Sequence, residues 1–148
     1  AVISPDSDDI LEITQRVEAL SRLLATEDGA NLLAGYRRAV NIVVAEEKKD
    51  GRTYAGAVET ASLRQPEEVV LADAAEAAAE VVTDNLAQDD YASAVAALSA
   101  LRTPVDNFFD KVLVNDPDAE VRVNRLNLLA RLRDTMHLVA DFGKIAGA

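Results

Sequence analysis

The chain has 148 residues, 49% of them apolar, which suits one domain around one hydrophobic core. Its formal net charge is −11, and it has no cysteine, which excludes a disulfide framework, a thiolate zinc site and a cysteine nucleophile. No run of about 18 apolar residues is present to span a membrane, and with aromatics at 4% the interior has to be built from Ala, Leu and Val.

The N-terminal stretch Ala1 to Asp9 has neither a basic start nor an apolar segment, so no signal peptide is expected. Ile10, Ile13, Val17, Leu20 and Leu24 then recur at helical spacing, with Ser7, Asp8 or Asp9 as possible caps. Thr26-Glu-Asp-Gly29 reads as a stop and restart. A second helix follows with Leu32, Leu33, Tyr36, Val40 and Val43 on one face, ending near Lys48 to Gly51, where cations meet the negative helix end.

Residues 51–66, punctuated by Gly51, Gly56 and Pro66, are expected to form a loop. Pro66-Glu-Glu68 is a helix start with acids at the positive end. The third helix, about Glu67 to Leu86, is expected to pack through the small residues Val70, Ala74, Ala77 and Val81. Asp89 and Asp90 open a fourth helix holding Tyr91, Val95, Leu98 and Leu101. Pro104 kinks or restarts it, and Val105, Phe108, Phe109 and Val112 carry the apolar face onward. After a turn over Asn115 to Asp118, a last helix places Val121, Leu128, Leu132, Met136 and Val139 on one stripe. No strand pattern emerges. The expected fold is an all-α bundle of five or six helices, one domain over residues 1–148.

The charge is uneven. Residues 53–98 hold nine acidic side chains against one basic, whereas residues 35–52 hold five basic against three acidic. Residues 117–148 are the second slightly positive stretch, with five basic against four acidic. An acidic solvated surface is the plain reading; a single nucleic-acid-facing side is the alternative. Arg37, Arg38, Asn41, Lys48, Lys49 and Arg52 fall near one broad face on and after the second helix. In the last helix Arg122, Arg131 and Arg133 are expected to point away from the apolar stripe. Guanidinium groups suit bidentate phosphate contact and stacking on unpaired bases, although each could equally pair with an acid one turn away. Arg125 reads as structural, held by Asp106 or Asp110, beside Asn124; Phe108 and Phe109 read as core.

Catalytic chemistry is thin. His137 is the only histidine and lacks an evident partner for acid–base work. Phosphate-binding, nucleophile-elbow and zinc-protease motifs are missing. The acid pairs Asp8-Asp9, Glu46-Glu47, Glu67-Glu68 and Asp89-Asp90 fit capping and solubility better than metal binding, so no metal and no cofactor is expected in this domain.

The stretch from Leu98 to Phe142, with Phe108-Phe-Asp-Lys-Val112, then Asn124-Arg-Leu-Asn-Leu-Leu-Ala-Arg-Leu-Arg133 and Val139-Ala-Asp-Phe142, resembles the end of the beta subunit of bacterial glycyl-tRNA synthetase. Arg16-Val-Glu-Ala-Leu20, Glu27 to Leu33, Arg38 to Ile42, Ala61 to Glu68 and Tyr91-Ala-Ser-Ala-Val95 extend the likeness over most of the chain. Thr103-Pro104 is a departure from it. The resemblance implies an anticodon-binding module of the DALR class, a fragment of a larger cytoplasmic, ATP-using synthetase. Its implied partners are the anticodon stem-loop of tRNA(Gly), the remainder of the beta subunit and the alpha subunit, with no membrane and no DNA. The competing reading is an acidic helical protein–protein or subunit-assembly module that touches no RNA.

Overall fold

The computed structural model describes residues 14, 16–55 and 58–139. Those residues form helices joined by turns and, between residues 50 and 66, by a longer loop, with no strand among them. Helix α1 covers residues 16–25, α2 Glu27–Asp50, α3 Pro66–Ala87, α4 Tyr91–Leu98, α5 Arg102–Lys111 and α6 Ala119–His137. Short 3₁₀ turns lie at Thr60–Ser62 and Ser99–Leu101. Ser7, Asp8, Asp9, Ile10, Ile13, Gly56 and Phe142 lie outside the described residues.

Local chemistry explains the boundaries. Thr26 caps α2, its hydroxyl accepting the Gly29 N–H at 3.0 Å and donating to the Leu23 carbonyl at 2.6 Å. Gly29 sits where the end of α1 runs into the first turn of α2, and a Cβ there would lie 1.8 Å from the Leu23 carbonyl oxygen. At the other end Gly51 takes φ of 65°, and its N–H and that of Arg52 close onto the Glu47 carbonyl. Pro66 is the first residue of α3 and Pro104 falls in the first turn of α5, where a missing N–H costs no helical hydrogen bond. The helix therefore restarts through the Ser99–Leu101 turn instead of kinking.

Helix α6 is the axis of the bundle. It packs against both α2 and α3, and α3 also meets α4 and α5. Eleven of its nineteen residues are buried, on nearly every side. The stripes foreseen for α2, α4, α5 and α6 are buried: Leu32, Tyr36 and Val43; Tyr91, Val95 and Leu98; Val105 and Phe108; Val121, Leu128, Leu132, Met136 and Val139. Leu33, Val40 and Phe109 are half-buried at its margin.

Two expected faces are corrected. In α3 the core side is Glu68, Leu71, Ala75, Ala78 and Val82, while Val70 and Val81 are 50% and 47% exposed. Alanine occurs around the whole helix and offers two parallel stripes one residue apart; Leu71, the larger apolar group, takes the core. In α1 it is Ala19 and Leu23 that turn inward, and Val17 is 56% exposed.

Candidate nucleic-acid interface

Helix α2 positions the basic residues. Its inner side is fixed by Leu32, Tyr36, Ala39 and Val43, so the opposite side carries Arg37, Arg38, Asn41, Lys48 and Lys49, all exposed. Lys48 and Lys49 lie in the last turn, where the helix dipole favours cations, and neither forms an ion pair among the described residues. Arg38 lies over the Phe109 ring at 4.4 Å from the centroid, and Arg52 over Tyr54 at 4.6 Å. Both guanidinium groups thereby hold a surface orientation on an aromatic base.

An open groove of about 690 Å³ runs along this face between α2 and the segment after α5. Arg37, Arg38, Asn41, Glu46, Leu113 and Asn115 line it. Leu113 is 65% exposed at its edge. The structure thus gathers Arg37, Arg38 and Asn41 on one groove, with Lys48, Lys49 and Arg52 beyond it toward the C-terminal end of the same helix.

The last-helix arginines are used differently, which corrects the expectation that they point away from the core. Arg122 is drawn into the α2–α6 seam, paired with Glu46 and, at 2.9 Å, with Asp50, while its Nε donates to Asn115 Oδ1 at 3.0 Å. Asn115 in turn donates to Glu46 at 3.0 Å, and the Tyr54 hydroxyl to Asp50 at 2.5 Å. The hydrogen bond from Asn115 outweighs the opposing effect of burial and, with those from Arg122, holds the Glu46 carboxyl below the usual range. The Tyr54 and Arg122 hydrogen bonds do the same for Asp50. Arg133 donates to the Tyr54 carbonyl at 3.4 Å and pairs with Asp134 at 3.1 Å. Arg131 is half-buried and makes no ion pair among the described residues.

Arg125 is structural, but its acid is not Asp106 or Asp110. Asp106 pairs with Arg102 at 3.2 Å and Asp110 with Lys111 at 3.5 Å. Arg125 instead reaches Glu68 of α3 at 2.9 Å, with further bonds to the Leu113 carbonyl, Asp116 and Gln65. Asn124 clamps the backbone of Glu59, just before the first 3₁₀ turn, accepting its N–H at 2.7 Å and donating to its carbonyl at 3.1 Å. His137 shares a hydrogen bond of 2.6 Å with the buried Tyr36 hydroxyl. Among the described residues no group of three or more His, Asp or Glu converges as a metal site, and no helix is long and apolar enough to cross a membrane.

An all-helical bundle that orders an exposed cationic helix face has the architecture of a small helical binding module. Residues 32–142 match the family profile of the DALR anticodon binding domain, and the chain belongs to that family. Over 141 residues it is 54% identical to the glycine–tRNA ligase beta subunit of Rhodospirillum centenum, an alignment covering 95% of this chain. The chain spans 20% of the length of that relative.

Proposed function

We propose that the chain is the anticodon-binding module of a glycine–tRNA ligase beta subunit, a cytoplasmic enzyme, and that it grips the anticodon stem-loop of tRNA(Gly). The observation that carries this reading is the α2 face. Arg37, Arg38, Asn41, Lys48 and Lys49 stand exposed along one side of one helix, beside a groove, in a chain whose net charge is −11. Cations so placed engage the phosphates of an RNA loop, while unstacked bases are read by side chains nearby. Aminoacylation would belong to other parts of the enzyme, with the remainder of the beta subunit and the alpha subunit as protein partners.

The test is a titration of the chain with tRNA(Gly) and with a non-cognate tRNA at two salt concentrations. Cognate binding that weakens with salt supports the reading; equal, absent or salt-insensitive binding overturns it. A subunit-assembly role has its own support in the apolar strip of α3, where Val69, Val70 and Val81 are 41%, 50% and 47% exposed. Loss of subunit association on Val70→Glu and Val81→Glu, with tRNA affinity kept, would assign α3 to assembly and α2 to RNA.

A further inference from the structure

Helix α3 leaves a complete packing seam on the outside of the bundle. Its inner side is filled by Glu68, Leu71, Ala75, Ala78 and Val82. The stripe one residue over, Val70, Ala74, Ala77 and Val81, recurs at spacings of 4, 3 and 4, the a and d rhythm of a helix–helix seam. Val70, Ala77 and Val81 are exposed, while Ala74 packs at the core margin. In that rhythm Asp73 and Glu80 take the g positions that edge the seam, and Glu76 and Asp84 lie on the same exposed side. None of these four acids forms an ion pair among the described residues. No cation of their own helix answers them either, because α3 contains no Lys, Arg or His. The e positions, Leu71 and Ala78, are in the core, so charge borders the seam on one side only.

We propose that this seam docks one amphipathic helix from the larger part of the beta subunit, a helix whose Lys or Arg residues recur about every seven positions along its edge. The proposal rests on the reading of this chain as a module of that subunit, and it names the contact that joins the two. RNA does not suit the seam, because the acids would face its phosphates. Nor does a second copy of the chain. Antiparallel, it would set Asp73 and Glu80 against the same acids; parallel, it would need Leu71 and Ala78, which the core has taken. A basic edge satisfies the acids, and the small side chains of Ala74 and Ala77 let a partner backbone come close. The chain spans 20% of the length of its relative, so a subunit of that kind has ample chain beyond this module to supply the helix. Helices α2 and α3 each pack on α6 rather than on each other, so a helix docked on α3 leaves the cationic α2 face open.

The experiment places one thiol on the seam, Ala77→Cys, in a chain with no cysteine of its own. Its maleimide labelling is followed by peptide mass in the chain alone and in the full beta subunit. The chain alone should react as a free surface thiol. In the full subunit labelling should slow about tenfold, as for a docked state populated about nine times in ten. Val81→Cys, further along the seam, should behave alike and decides if a thiol at residue 77 loosens the contact. A photo-crosslinker on the same thiol should join it to a beta-subunit peptide outside this chain. Asp73→Lys with Glu80→Lys, both on exposed side chains, should return labelling in the full subunit to the rate of the chain alone, with helical circular dichroism kept. Equal labelling in both settings, protection that survives the charge reversal, or crosslinks to the alpha subunit or a second copy overturn the proposal. Binding of tRNA(Gly) is read separately: its absence in the wild type overturns the anticodon reading, whatever the thiol reports.

Discussion

Arg125 on α6 and Glu68 on α3 form an ion pair at the centre of the bundle, Nε to Oε1 at 2.9 Å, with side chains 4% and 0% exposed. The carboxylate also accepts the backbone N–H groups of Gln65 and Arg64 at 2.7 and 2.8 Å, so one side chain both caps α3 and anchors α6. The guanidinium spreads its other donors over the Leu113 carbonyl, Asp116 and Gln65. The turn that follows α5 and lines the α2 groove is therefore tied to the same pair.

Breaking this pair on one side leaves a buried charge without a partner. Arg125→Met should destabilise the fold by about 3 kcal/mol, and Glu68→Gln by a similar amount. The double change should cost less than the sum of the single changes, because neither charge is then stranded. Urea denaturation of the single and double variants measures this; additive effects would show that the two residues act independently.

The pair also fixes a dependence on acid. Burial by itself would raise the Glu68 pKa, but the hydrogen bonds from Arg125, Gln65 and Arg64 prevail and hold it below the ordinary glutamate value. A carboxylate whose pKa is lowered on folding stabilises the native state above its unfolded pKa, about 4.3, and that contribution disappears as pH falls through the lower native value. Glu46 and Asp50 are lowered too and add to the same trend. Wild-type Tm should be nearly flat from about pH 7 to 5 and drop below about pH 4.3. The Tm gap between wild type and Glu68→Gln should narrow over that lower range. A gap that stays constant down to about pH 3 would remove Glu68 from the account.

Gly29 should be intolerant of any side chain. Its Cβ would lie 1.8 Å from the Leu23 oxygen and 2.5 Å from the Leu23 carbonyl carbon, backbone atoms that cannot rotate away. Gly29→Ala should cost about 2 kcal/mol by forcing the α1–α2 corner apart. Gly51→Ala pays a different cost, the left-handed φ of 65°, with nothing crowding its Cβ. A Gly29→Ala chain as stable as wild type would mean that α1 does not pack as described.

The helices and most of their inward faces were legible because Leu, Val, Tyr and Phe recur at 3.6-residue spacing in α2, α4, α5 and α6. Where periodicity weakens, legibility stops. Alanine in α3 burdens no face with a preference, and the buried Glu68 sits on the true core side, where an acid argues against burial. The partner of Arg125 lies 57 positions away, out of reach of any i, i+4 rule. Its signal was nevertheless present, since Pro66-Glu-Glu68 and Asn124-Arg125 were both among the residues carrying the family resemblance. The basic face of α2 was readable from spacing alone. The inward turn of Arg122 was not, because it depends on how α6 lies against Glu46 and Asp50. Tyr54, 2% exposed inside an expected loop, had no periodic neighbour to reveal it.

The two sets of arginines should answer differently to RNA. Reversing Arg37, Arg38, Lys48 and Lys49 together to Glu should weaken tRNA(Gly) binding and flatten its dependence on salt, because fewer counterions are released when fewer phosphates are neutralised. Each lost phosphate contact should lower the slope by about 0.7 to 0.9. Arg122→Met should instead lower Tm by a few degrees while leaving the salt slope alone, since its guanidinium is already held by Glu46 and Asp50. Filter-binding or fluorescence titrations across salt, run beside thermal melts, separate the two outcomes. The same variants in the full enzyme should raise KM for tRNA only when the α2 face is reversed. Reversals that leave both affinity and slope intact would show that α2 does not meet the tRNA. The search would then move to Arg131 and Arg133, the arginines that α6 keeps nearer the surface.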